Sequence, residues 1–479
     1  MRRAVSFAIV VIAASAHAEP VKPSHVYSRG VTTWIYETPR KSTHDRLGYI
    51  RLGEGVRVRS AEPTPGPGCS EGFYPVEPFG WVCADRLASL RMQGRYLNGM
   101  QLAHSSTALM PFQYALSNGA PMYRRLPTRA EWEKEERFLG KPGTFRPQSW
   151  GNRGHEKLAE VRAIPATDSV PWFLADGGSV GREKPHGLVR RTIPHGSMLS
   201  FTRAFSYEGR TWLLSADGTV VPADRVRPFR VSQFHGTPLG KGVELPIAFF
   251  REKARPKYVK TGEGFAPANG EWAVRSFVSL DPRTAAVEVG KKRYLATREK
   301  DEKGRVLWTD EADATVVRRR EQRPIGVAEG EKWLLISITS GTLVAYDADK
   351  PVYATLVSPG VGGVPMPGKD PVKMSTTPMG VYRVTFKHRA ATMSPEQGEN
   401  RSFWIADVPY TQYFNAPFAL HTAYWHESFG EPMSAGCVNL SPIDGRYLFE
   451  FTDPKVPAGW NGAAPGGPLG KGTYVVVSR

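Results

Sequence analysis

The sequence predicts a mainly β protein in which small β-barrel modules precede a C-terminal β-sandwich that carries one helix. Three observations lead there. Short runs rich in valine, isoleucine and aromatic residues recur along the chain and are broken by Gly, Pro, Asp and Ser. Apolar and polar residues alternate with period two in stretches such as GYIRLGEGVRVRS. Only two segments read as helix. In PTRAEWEKEERFLG, Thr128 and Glu131 form a capping box, and in SPIDGRYLFEFTDP a Ser-Pro pair opens the run.

The chain begins MRRAVSFAIVVIAASAHAEP: two arginines, a short apolar run, then small residues ending Ala16-His17-Ala18. This pattern predicts a secretory signal over residues 1–18. The apolar run is too short to span a bilayer, and no later stretch is long and apolar enough to do so. No cysteine follows the expected cleavage point, so no stable membrane anchor is expected. The formal charge is +17, and it falls to +15 without Arg2 and Arg3. Such an excess suits an anionic partner, and export disfavours nucleic acid in that role.

Residues 26–90 read as strands and turns, with TPGPG as a break and FYPVEPFGWVC resuming the pattern. Cys69 and Cys83 lie in this stretch, 14 residues apart, and in an exported chain are expected to pair. The Gly-rich entry, the valine-alternating strand and the closing Gly-Trp-Val resemble the bacterial SH3-like modules of exported wall proteins. Residues 91–165 give a mixed connecting region. Residues 166–230 end in VVPADRV as the first module ends in WVCADRL, which reads either as a second copy or as coincidence. Residues 231–330 read as a basic, loop-rich β region closing in a linker, VVRRREQRPIGV.

Over 331–479 the pattern sharpens. EKWLLISI, TLVAYDA, PVYATLVSPG, GVYRVTFKH and GTYVVVSR are strand-like. Within this region Cys437 remains after the local pair is assigned, 16 residues beyond His421. A thiol nucleophile needs a base, and a histidine is the usual one. Gly436 allows close backbone approach to a substrate, and N–H groups around Ala435, Gly436 and Cys437 suit an oxyanion hole. Zinc on His421, His426 and Cys437 is the competing use, but no HExxH or CxxC pattern supports it and no metal or cofactor is expected.

The segment His421…Ser434-Ala435-Gly436-Cys437-Val438-Asn439 resembles the signature of the L,D-transpeptidases, the YkuD-like catalytic domain of bacterial cell-wall enzymes. The resemblance spans 331–479 and includes TTPMGVYRV and AYWHESFGEP. It implies a Cys437 nucleophile, a His421 base and a Thr422 backbone carbonyl orienting the imidazole. The implied substrate is a peptidoglycan stem peptide, with release of D-alanine through a thioester. One position departs: many relatives carry His where this chain has Ala435. Ser434 and Asn439 are read as supports of the nucleophile loop, Tyr424 and Trp425 as candidates to line a substrate groove, and Phe429 as core. His426 and Glu427 are expected on a loop surface, and 389–402 as a polar lid. Two further readings stay open: a wall-binding protein with an inactive domain, and a carboxypeptidase using water as acceptor.

Overall fold

The computed structural model describes residues 24–91, 109–143, 157–178, 187–394 and 404–479, together with Gly99. The expected signal at 1–18 lies outside the described residues. Three β modules precede a larger C-terminal domain, and in each the first strand sits between a middle strand and a short closing strand. His25–Ser28 pairs with Gly55–Arg57 and Ala88–Ser89. Gln113–Ser117 pairs with Met198–Tyr207 and Val226–Pro228. Ile247–Phe249 pairs with Phe277–Ser279 and Thr315–Val317.

A tight turn precedes each closing strand: Asp85-Arg86-Leu87, closed by the Ala88 N–H on Asp85 O, then a 3₁₀ turn at Ala223–Arg225, then another at Glu311–Asp313. The Ala-Asp echo seen in the sequence thus marks equivalent corners. Its arginines differ in use, since Arg86 is exposed while buried Arg225 donates to the Glu136 carboxylate.

The stretch read as a connector supplies two strands, Gln113–Ser117 and Pro121–Tyr123, to the second module, and both pair with strands beyond residue 188, a separation that hid them. The region read as loop-rich, 231–330, holds a three-stranded and a five-stranded sheet. One of its strands, KRYLATREK at Lys292–Lys300, is buried over its middle four residues and carries Lys and Arg at both exposed ends. The expected helix forms at Arg129–Glu135 with the Thr128–Glu131 capping box. Cys69 and Cys83 are joined in a disulfide.

The C-terminal domain is a β-sandwich. One layer runs Thr237–Pro238, Lys350–Leu356, Thr342–Asp347, Trp333–Ser337, Tyr474–Ser478, Gly380–Arg383. Trp333–Ser337 and Tyr474–Ser478 are parallel at its centre. That layer is apolar on both faces, which explains the unbroken WLLIS and YVVVS runs. Leu334, Ile336 and Val475 pack inward on Leu420, Val438 and Leu448. Trp333 and Val476 pack outward on Ile247, Phe249 and Val317 of the third module.

The second layer includes Phe386–Met393, Ile405–Asn415, Phe418–Thr422 and Val438–Leu440. The helix Pro442–Phe451 covers the core, with Ser441 as N-cap accepting from the Asp444 N–H. At its other end buried Lys387 donates to the carbonyls of Phe449 and Thr452. Two further helical turns were not expected: Pro371–Met374, capped by Asp370, and a 3₁₀ turn at Gly467–Leu469. Among the described residues no helix is long and apolar enough to cross a membrane.

Candidate active site

Phe418–Thr422 and Val438–Leu440 run parallel, with Leu420 opposite Val438, His421 opposite Asn439 and Thr422 opposite Leu440. His421 and Asn439 share a face, their side chains 3.1 Å apart, and Cys437 stands two residues before Asn439, just ahead of the strand. The register thereby folds residues 422–436 back so that the end of the loop lies beside the His421 strand. Cys437 is half-buried and lies outside the disulfide.

The loop before Cys437 is held from inside and from outside. Ser434 Oγ accepts from the Gly436 N–H at 3.0 Å and donates to the Cys437 carbonyl. Thr377 Oγ1 donates to the same carbonyl at 3.4 Å and accepts from the Gly360 N–H at 2.9 Å. The Ser434 N–H donates to Pro359 O and the Val361 N–H to Ser434 O. Tyr413 lies near enough that charge on Cys437 adds to burial in raising its phenol pKa.

His421 is 3% exposed. Its Nδ1 is 3.2 Å from Thr422 O and its Nε2 is 3.1 Å from Asn439 Nδ2. Burial pushes its pKa down to about 4, partly opposed by the Thr422 carbonyl. The imidazole is therefore neutral near pH 7, the state a general base requires.

Several expected roles change with the geometry. Tyr424 and Trp425 do not line a groove: Tyr424 is stacked on Tyr114 at 3.8 Å between ring centres, and both are buried against the second module. His426 is fully buried instead of surface-borne, with Nε2 3.1 Å from Asn439 Oδ1. Asn439 bridges two histidines with its side chain, whereas the sequence suggested bonds to the loop backbone. The Gly436 N–H, assigned to an oxyanion hole, is engaged by Ser434 Oγ; Ala435 is exposed at the loop tip.

Phe429 is core. Glu427 pairs with Arg230 at 3.0 Å and Arg275 at 3.6 Å. Of the stretch read as a lid, 389–393 belongs to the Phe386–Met393 strand, and 395–402 lies outside the described residues. The two Nε2 atoms that a zinc ion would take both face the Asn439 amide.

Sequence reasoning missed Thr377, Tyr413 and the buried role of His426. Tyr413 lies 24 residues from Cys437 and carries no local motif, and Thr377, 60 residues away, stands in TTPMGVYRV with nothing local to link its hydroxyl to the nucleophile. For His426 a signal existed: it directly follows the apolar Ala423-Tyr424-Trp425 run, which favours burial.

Residues 331–477 match the family model described as YkuD, L,D-transpeptidase catalytic domain. No curated protein matches the chain. Among solved structures, the chain is similar to an L,D-transpeptidase from Stackebrandtia nassauensis, at 24% identity over 33% of this chain and 62% of that one, with a TM-score of 0.22. It is also similar to the catalytic domain of the E. faecium L,D-transpeptidase, at 19% identity over 32% of this chain and all of that one, with a TM-score of 0.23. A third similar structure is an L,D-transpeptidase from Mycobacterium smegmatis, at 14% identity over 42% of this chain and 99% of that one, with a TM-score of 0.23.

Proposed function

We propose that this chain, which carries a YkuD L,D-transpeptidase catalytic domain at residues 331–477, is an exported enzyme that remodels peptidoglycan through a thioester on Cys437. The observation that supports this most is the strand register, which sets His421 opposite Asn439, two residues beyond Cys437 in the chain. His421 takes the proton from Cys437 Sγ, and the thiolate attacks the carbonyl carbon of the third residue of a stem peptide. The bond to D-alanine breaks, D-alanine leaves as the amine with the proton held by His421, and the acyl group stays on sulfur. An amine from a neighbouring stem peptide attacks the thioester, gives up its proton to His421 and releases the Cys437 thiolate. The remaining backbone N–H groups around Ala435 and Cys437 are the candidate oxyanion donors.

The three β modules and the positive charge suit a location on an anionic wall polymer. We read the modules as SH3-like units that orient the catalytic domain on that surface. A non-catalytic wall-binding protein is the second reading, motivated by Ala435. Incubation with tetrapeptide muropeptides decides between them. D-Alanine release by wild type and none by Cys437→Ala supports the enzyme. Sacculus binding by both proteins without release by either supports the binding protein. Product masses then separate cross-linking from hydrolysis.

A further inference from the structure

The hydrogen bonds around Asn439 form a chain whose polarity is set at both ends by backbone groups. The Ser428 N–H can only donate, and it lies 3.2 Å from His426 Nδ1. His426 Nδ1 is therefore the acceptor, and its proton sits on Nε2, 3.1 Å from Asn439 Oδ1. Asn439 then presents Nδ2 as donor to His421 Nε2 at 3.1 Å. At the far end the Thr422 carbonyl can only accept, and it lies 3.2 Å from His421 Nδ1. Starting from either end gives the same Asn439 orientation and the same pair of imidazole tautomers. All three side chains are buried.

We infer that His426 is a positioning residue for the catalytic base: through Asn439 it holds His421 in the Nδ1–H tautomer, so that Nε2 stays unprotonated and takes the Cys437 proton when the Asn439 N–H gives up its lone pair. The inference rests on the transpeptidase reading for its purpose, and the tautomer it assigns stands without it. A turned Asn439 amide would set Oδ1 against the Nε2 lone pair of His421, favour the opposite tautomer and break the bond to Thr422 O. His426 prevents that turn, because its own tautomer is fixed by Ser428.

The segment carrying His426 is gripped from the accessory modules. Lys157 donates to Ser428 Oγ, Arg230 and Arg275 pair with Glu427, and Arg251 donates to Gly430 O. The second and third modules therefore support this relay from outside the catalytic domain. That link suits a device in which the modules hold the base as well as the wall.

The test is imidazole ¹⁵N NMR on the full mature chain labelled at histidine, without substrate, for wild type, His426→Gln and His426→Phe. The outcome expected is Nδ1–H for His421 and Nε2–H for His426 in wild type. Glutamine keeps a donor near the Nε2 position and should retain the His421 tautomer, whereas phenylalanine should mix it. The rate of Cys437 acylation by a muropeptide should fall about tenfold in His426→Phe and recover in His426→Gln.

A wild-type His421 in the Nε2–H form, or a His426→Phe variant with unchanged tautomer and rate, overturns the inference. Should His426→Phe fail to fold, the wild-type spectrum and the glutamine variant still decide it. If the tautomers are as assigned and Cys437 is never acylated, the relay stands and the enzyme reading falls.

Discussion

Gly436 has φ +126°, and a Cβ built there would lie 2.6 Å from the Phe418 ring and 3.0 Å from Thr376 O. Both conformation and space therefore demand glycine immediately before the nucleophile. Gly436→Ala should displace Cys437 by a fraction of an ångström or more and slow acylation on the order of a hundredfold. A wild-type acylation rate in that variant would contradict the geometry.

Buried imidazoles give a second prediction at this scale. Burial pushes His388 and His421 each to about 4. The folded state then binds fewer protons than the unfolded state between about pH 4 and 6.5, so stability is complete above that window and is lost as pH falls through it. Each group costs up to about 3 kcal/mol at the low end. Denaturant midpoints across the window should show a shallower fall for His388→Phe than for wild type, and equal slopes would refute the assignment. The signature residues His421, Gly436 and Cys437 were legible in the sequence because they lie in one motif, whereas the bonds of the Asn439 side chain were not, since they run to histidines 13 and 18 residues away.

The helix Pro442–Phe451 ties the site's strands to the rest of the domain through Asp444. Its carboxylate accepts from the Gly236 N–H at 2.9 Å, Tyr353 Oη at 2.7 Å and Thr355 Oγ1 at 2.6 Å. Replacement by alanine would leave three buried donors unsatisfied, and Asp444→Ala should cost about 3 kcal/mol or more, read as a lowered unfolding midpoint of the catalytic domain. A change under about 0.5 kcal/mol would show that these bonds are replaced by water.

The helix itself was readable from Ser441-Pro442, a local signal. The role of Asp444 was not, because its partners lie 89 to 208 residues distant. The Ile405–Asn415 strand also escaped notice. Pro409 sits at its middle, and Asp407 and Tyr410 adopt φ of 48° and 54°, so its alternation is broken at two points.

The modules and the catalytic domain share cores and are not beads on a string. Trp460 of the catalytic domain is inserted among Ile35, Ile50 and Val82 of the first module. Asp407 pairs with Arg51 of the first module at 2.6 Å and accepts from Ser200 of the second. Tyr424 and Trp425, next to the site, complete the core of the second module. Asp407→Ala should therefore destabilise by about 3 kcal/mol, since Arg51 loses its partner in a mostly buried setting. A fragment beginning at 331 should aggregate or lack a dispersed NMR spectrum, because it exposes those aromatic faces; a well-folded, active fragment would show the modules to be dispensable.

At this scale the sequence revealed the catalytic segment at 331–477, through its apolar strand runs and its motif. It did not reveal that the modules pack against the site, since those contacts join residues hundreds of positions apart and follow no local pattern. The central claim, a thioester on Cys437 with His421 as base, is tested most directly by intact-protein mass spectrometry after brief incubation with a tetrapeptide muropeptide. The account predicts an adduct equal to the muropeptide less D-alanine, absent in Cys437→Ala and strongly reduced in His421→Ala. An unmodified wild-type chain whose Cys437 nonetheless reacts with an alkylating reagent would contradict it.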